Sequence, residues 1–172
     1  MTFDPLAMCQ LLNEEGVDFV VVGGFAATIH GSTLVTEDID IVPSRDQDNL
    51  DRLARALKRM NAQIRTSDGA VPAPLDAAFL SNMPFMLNLV TDHGPLDLTY
   101  EPSGPLNGYA DWNAHATTVS LDETLRVRVA AIDDIIASKR AAGRPKDAPG
   151  VLHLESLKEQ IAQTASDATP DQ

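Results

Sequence analysis

The chain has one cysteine, no long apolar run and a shortage of positive charge. A lone Cys9 leaves no partner for an intrachain disulfide, and its neighbours Leu6, Met8, Leu11 and Leu12 make it read as a packing residue rather than a nucleophile. No stretch approaches the roughly 18 consecutive apolar residues that span a bilayer, so no membrane association is expected. The opening residues, Met1-Thr2-Phe3-Asp4-Pro5, carry an acid and no basic segment, so no secretory signal is predicted and a cytoplasmic location is the expectation. No Gly-x-x-x-x-Gly-Lys-Ser/Thr sequence is present, which excludes a P-loop NTPase. His30, His93, His115 and His153 are scattered without metal-ligand spacing, which argues against zinc. His30 reads as a packed, hydrogen-bonded side chain before it reads as a catalytic one. With 13 Lys and Arg against 25 Asp and Glu, the net charge of −12 weighs against broad binding to nucleic acid, which draws its affinity from neutralised phosphates. The positive charge is uneven: Lys139, Arg140, Arg144 and Lys146 fall within eight residues, after Arg126 and Arg128. That cluster is where an anion is welcome.

At 172 residues the chain is long enough for one sizeable core, and 44% hydrophobic with 22% charged residues is an ordinary globular balance. A single domain over residues 1–164 is expected, with 165–172 a small, polar, flexible tail. Apolar spacing predicts a first helix over about 5–15, ended near Gly16. The β-branched run 17–22 reads as a buried strand, 25–30 as a short helix, and 38–42 as a second strand halted by Pro43. Leucines at 50, 53 and 57 predict a surface helix over 46–60. The stretch 66–84, with three prolines, reads as loop or short helix, and 85–91 with 96–100 as a hairpin. Residues 102–111 read as loop, 117–119 and 127–130 as short strands, 132–142 as a helix stopped by Gly143, and about 151–163 as a last helix. The implied class is α+β, a mixed sheet with helices mainly on one face and helices at the C-terminus.

The chemistry concentrates in two adjoining segments. In Asp38-Ile39-Asp40-Ile41 the strand period of two sends both aspartates to one face and both isoleucines to the other. Like charges side by side repel by up to about 1 kcal/mol, so the pair suits a divalent cation, and Mg²⁺ prefers such carboxylate oxygens together with substrate phosphates. Taken alone, the pair fits the wet face of an edge strand equally well. Before it stands Val20-Val21-Val22-Gly23-Gly24-Phe25-Ala26-Ala27, a strand running through a glycine pair into a helix. Backbone N–H groups at such a turn can cradle phosphate, and glycine permits close approach.

Gly23-Gly24, thirteen residues, and Asp38-Ile39-Asp40 together resemble the signature of the polymerase-β-like nucleotidyltransferase superfamily. Gly23 to Gly31, Thr36-Glu37-Asp38-Ile39-Asp40 and Ala137 to Asp147 are further similar to its bacterial branch of abortive-infection and toxin–antitoxin nucleotidyltransferases, over about residues 10 to 160. The resemblance implies a nucleotidyltransferase fold and an NTP-dependent, pyrophosphate-releasing enzyme using Mg²⁺ or Mn²⁺. Asp38 and Asp40 would bind metal, and Asp97 in Gly94-Pro95-Leu96-Asp97-Leu98 matches the third carboxylate, binding the catalytic ion and assisting loss of the attacking hydroxyl's proton. Gly23 and Gly24 would meet the nucleotide. Lys139 matches a lysine assigned to the triphosphate; Arg144 and Lys146 either join it or lie at a solvated helix end. Two departures stand out: Leu34 where the branch often has arginine, and Gly24 where serine is common elsewhere, a lost hydroxyl for which Ser32 or Thr33 would compensate.

The resemblance implies transfer of a nucleoside monophosphate from an NTP to a hydroxyl of RNA, a tRNA end above all, or of a protein, in a toxin–antitoxin or phage-defence setting with a cognate antitoxin or toxin. The acidic surface leans toward a protein acceptor and the basic cluster toward RNA. The alternative is a non-catalytic binding module that keeps the fold to recognise a protein partner. Intact carboxylates weigh against it, because a module without metal gains by losing their repulsion.

Overall fold

The computed structural model describes residues 2–168. Asp4 opens the first helix, α1 (Pro5–Glu14), by accepting a hydrogen bond from Ala7 N at 3.0 Å, with Pro5 at a position where no N–H is needed. Its buried residues Met8, Cys9 and Leu12 join a core shared with Leu50, Leu53, Ala56 and Leu57 of α3 (Gln47–Arg59). Cys9 is fully enclosed, and burial pushes its thiol up to about 12, in keeping with the packing role.

Among the described residues the strands form one eight-stranded sheet, in the order β4-β3-β5-β6-β2-β1-β8-β7. The centre is β1 (Phe19–Val22), antiparallel to β2 (Ile39–Pro43) and parallel to β8 (Arg126–Val129). β2 runs parallel to β6 (Gly94–Thr99), which closes an antiparallel hairpin with β5 (Met86–Thr91). β7 (Thr117–Ser120) pairs with β8, while β3 (Gln63–Thr66) pairs with β5 and carries β4 (Gly69–Val71) at the other edge. The sheet is mixed, as expected, and open. Val20, Val21, Ile39, Ile41, Leu96 and Leu98 are completely buried; β1 is apolar throughout, whereas β2 and β6 alternate these core residues with Asp40 and Asp97.

Most predicted elements stand within a residue or two of their places. α2 (Gly23–Ile29) starts two residues before the expected helix, because both glycines form its first turn. α6 (Ile132–Ala142) ends on Gly143 at φ 61, the left-handed cap that glycine adopts most readily. Two regions differ. The stretch 66–84 yields most of the β3–β4 hairpin and α4 (Ala77–Ser81), capped by Asp76 through Phe79 N at 2.8 Å, and residues read as loop enter α5 (Gly108–His115). The last helix, α7 (Ala148–Asp167), follows a single 3₁₀ turn over Pro145–Asp147 and continues through residues expected to begin the tail. Thr164 and Ser166 donate to the carbonyls of Gln160 and Ala162 at 3.0 and 3.1 Å, so neither hydroxyl diverts the backbone from the helix. The remainder of the expected tail, 169–172, lies outside the described residues.

Candidate active site

The helix α2 leaves β1 against the start of β2, and this junction sets the site. Val22 stands opposite Asp40 across the β1–β2 ladder, and Asp40 stands opposite Asp97 across the β2–β6 ladder. Asp38 lies just before β2, where its Oδ1 accepts from Thr36 Oγ1 at 3.2 Å. The isoleucines between and beyond the aspartates are buried in the core, so the acid face and the core face separate as the strand period requires.

Both glycines are there for space. A Cβ on Gly23, which has φ +65, would lie 2.2 Å from Asp40 Oδ2, and no larger residue fits without moving that carboxylate. A Cβ on Gly24 would lie 2.8 Å from Thr36 Oγ1. Thr36, whose hydroxyl donates to Asp38, thus occupies the space a side chain at position 24 would need.

These groups open into a cleft of about 1050 Å³, at the upper end of the usual range for small-molecule sites. Gly23, Gly24, Ser32, Asp38, Asp40 and Asp97 line it together with Lys139, Arg144 and Lys146. Nine of the ten residues named for metal or nucleotide binding by sequence thus meet in one cleft, among them three of the four cations of the basic cluster. Thr33 is not part of the lining; its N–H is directed to His153 Nε2 at 3.4 Å. Arg140 is paired with Glu155, and Arg128 bonds Asn113, Thr118 and the Ala116 carbonyl, so those two cations serve the fold. His30 Nε2 lies 2.7 Å from the Ala130 carbonyl oxygen, the packed reading.

Three cleft residues, Arg65, Thr99 and Trp112, carried no sequence signal, and Asp147 lies within the resembling segment 137–147 without a role read from it. Asp147 is buried and holds Arg144 Nε at 2.6 Å and Lys139 Nζ at 3.8 Å, fixing both cations at the rim. Arg65 Nη2 donates to both oxygens of Asp97, at 2.7 and 2.9 Å. Thr99 Oγ1 and Trp112 Nε1 line the cleft, are buried, and have no hydrogen-bond partner among the described residues. Only the alternation of β6, which puts Thr99 two residues beyond Asp97 on the same face, could have pointed to any of them. A second hollow, of about 530 Å³ between α3 and residues 72–76, holds none of the predicted site residues.

Burial pushes the Asp40 carboxyl up to about 7, with the charges of Asp38 and then Asp97 adding to the rise and Lys139 and Arg144 opposing it. Asp97 is raised chiefly by burial, while Asn88 and Arg65 pull it back. Hard oxygen donors, crowded and partly desolvated, are what a divalent cation such as Mg²⁺ relieves, so Asp38 and Asp40 fit one in chemistry. Among the described residues, no three acidic, histidine or cysteine side chains are gathered into a ready set of ligands, and Asp97 is engaged by Arg65.

The family described as nucleotidyltransferase of unknown function (DUF6036) matches residues 7–162. No curated protein matches the sequence significantly. Among solved structures, the lincosamide antibiotic adenylyltransferase LnuA with lincomycin bound superposes with a TM-score of 0.61 at 14% identity, over 91% of this chain and 99% of that one. TM1012 from Thermotoga maritima, a protein assigned to the nucleotidyltransferases, gives 0.54 at 16% identity, over 91% and 89%. The antibiotic-resistance factor ANT(2'')-Ia gives 0.52 at 11%, over 95% and 94%. At such identities the likeness is one of fold. No described helix is long and apolar enough to cross a membrane.

Proposed function

The chain belongs to the DUF6036 nucleotidyltransferases, and on that premise we propose that it transfers a nucleoside monophosphate from an NTP to a protein hydroxyl, as one half of a toxin–antitoxin or phage-defence pair. The observation that carries the reading is the cleft that brings Asp38, Asp40 and Asp97 together with Lys139, Arg144 and Lys146. Such a cleft suits a triphosphate lying between a cation held by carboxylates and a row of basic side chains. In this reading residues 1–164 act as one domain.

Asp38 and Asp40 would hold Mg²⁺ or Mn²⁺, which when bound neutralises phosphate charge. Gly23 lets the triphosphate approach the strand end, and Lys139 and Arg144, steadied by Asp147, meet its oxygens. The acceptor O–H gives its proton to Asp97, directly or through water, as oxygen bonds to the α-phosphorus and the α–β bridge breaks to release pyrophosphate. A buried carboxyl with a raised proton affinity suits that role.

Charge supports protein over RNA as acceptor. The basic cluster that leaned toward RNA is divided between the cleft and Glu155. Elsewhere Arg52, Arg55, Arg59 and Lys158 are tied to Asp18, Glu15, Glu14 and Asp133, which leaves little positive surface for a polyanion. Incubating the protein with each labelled NTP, Mg²⁺ and either total RNA or total protein is the test. We expect label on protein. Label on RNA would move the acceptor to a tRNA or another RNA, and label on neither would overturn a macromolecular acceptor.

A further inference from the structure

Arg65 lies on β3, a strand that no motif marks, yet its side chain reaches the centre of the site. Asn88 stands opposite Asp97 in the β5–β6 ladder, and Asp97 opposite Asp40 in the β6–β2 ladder. Ile64 stands opposite Leu89, so the next step of that antiparallel register brings Arg65 level with Asn88. Four strands thus carry one polar row, Arg65, Asn88, Asp97, Asp40, ending at the glycine turn. Arg65 closes that row: its Nη2 donates to both Asp97 oxygens, and its side chain remains 36% exposed, on the cleft lining. Asp97 is therefore neutralised and half-occupied before any cation arrives.

We propose that Arg65 couples the loading of cation and nucleotide: it pairs with Asp97 until a triphosphate arrives, then exchanges the carboxylate for a phosphate oxygen, leaving Asp97 free to join Asp38 and Asp40 around a divalent cation. The proposal rests on the nucleotidyl-transfer reading and assigns Arg65 a role within it. A guanidinium on a ligand carboxylate weakens a cation there in two ways, by charge and by taking its lone pairs. A phosphate group offers the same planar fork a second anionic partner within the same cleft, so the exchange involves no unpaired intermediate. Cation and nucleotide then each tighten the other, by the same factor.

The test is a titration of the nucleotide-free protein with Mn²⁺, repeated with a non-hydrolysable NTP analogue, and read by calorimetry or by the spin signal of free Mn²⁺. Arg65→Gln should bind Mn²⁺ alone about tenfold more tightly than wild type. The analogue should tighten Mn²⁺ less in Arg65→Gln than in wild type. Arg65→Lys keeps the charge on a shorter side chain without the planar guanidinium, should fall between the two, and carries the test should the glutamine variant fold poorly. Mn²⁺ affinity unchanged in both variants, or full cooperativity retained, overturns the role of Arg65. Asp40→Asn separates this from the underlying reading: if it abolishes Mn²⁺ binding while Arg65→Gln matches wild type, only the coupling fails. Mn²⁺ binding undiminished in Asp40→Asn means the carboxylate site itself is wrong.

Discussion

Asp40 carries its carboxylate on a strand whose neighbours Ile39 and Ile41 are fully buried, with Gly23 close against one oxygen. Replacing it by alanine removes charge from the acid face and leaves the apolar face unchanged. Asp40→Ala should therefore keep or raise the melting temperature while transfer falls by about a thousandfold or more, which parallel melts and labelling assays will show. A large loss of stability would make the residue structural. The pH dependence follows from the carboxyl standing at about 7 in the fold, against about 4 for an ordinary aspartate. Below about pH 4 the group is protonated folded and unfolded alike and contributes nothing. Between about 4 and 7 the unfolded chain releases the proton while the folded chain keeps it, so this group's contribution to stability falls as pH rises, by a few kcal/mol, and levels off above 7. Asp40→Asn, melted in EDTA, should match wild type near pH 4 and exceed it near pH 8. An equal gap at both values would show that Asp40 does not titrate in this window.

At the scale of elements, the hinge between strands and helix α3 is Asn49. Its Oδ1 accepts from Asp18 N at 2.7 Å, and its Nδ2 donates to the carbonyls of Asp18 and Ser44 at 3.0 and 2.9 Å. One side chain thus ties the entry to β1 to the exit from β2, the strands that present Gly23 and Asp40. Asn49→Ala would strand the Asp18 N–H and the Ser44 carbonyl, a loss of about 2–4 kcal/mol, or a fall of about 5–15 °C in melting temperature. Nucleotide affinity below the transition should stay near wild type; a parallel loss of affinity would show that α3 also shapes the cleft. Elements with strong local codes were legible: the leucine spacing of α3, the β-branched run of β1 and the Gly143 stop of α6. The β3–β4 edge and α5 were not. Every residue of β4 is exposed, and α5 buries only Trp112 and has no side-chain cap, so neither presents the alternation or periodicity that identifies an element locally.

Over the whole molecule a net charge of −12 is arranged so that carboxylates crowd where cations would serve the reaction. A divalent cation that binds only the folded chain stabilises it by mass action, about 2.7 kcal/mol at a hundred times its dissociation constant, or about 5–10 °C in a chain of this size. Mg²⁺ or Mn²⁺ should raise the melting temperature of wild type by that order, and less in Asp38→Asn; an equal rise in both would place the ion elsewhere. What the sequence by itself determined was local: which residues alternate, where glycine interrupts, and that two aspartates share a strand face, since these follow from backbone periods of two and 3.6 residues. It also carried the family, because Gly23-Gly24 and Asp38-Ile39-Asp40 lie close along the chain. Only the tertiary structure decided what meets across strands. Asp97 reaches Asp40 through a parallel ladder 57 residues away, Arg65 reaches Asp97 over 32 residues, and Asp147 gathers Lys139 with Arg144 after the chain reverses between α6 and α7. Sheet register fixes the first two contacts, and register is set by pairing the whole apolar face of each strand at once, a condition that no short window of sequence contains.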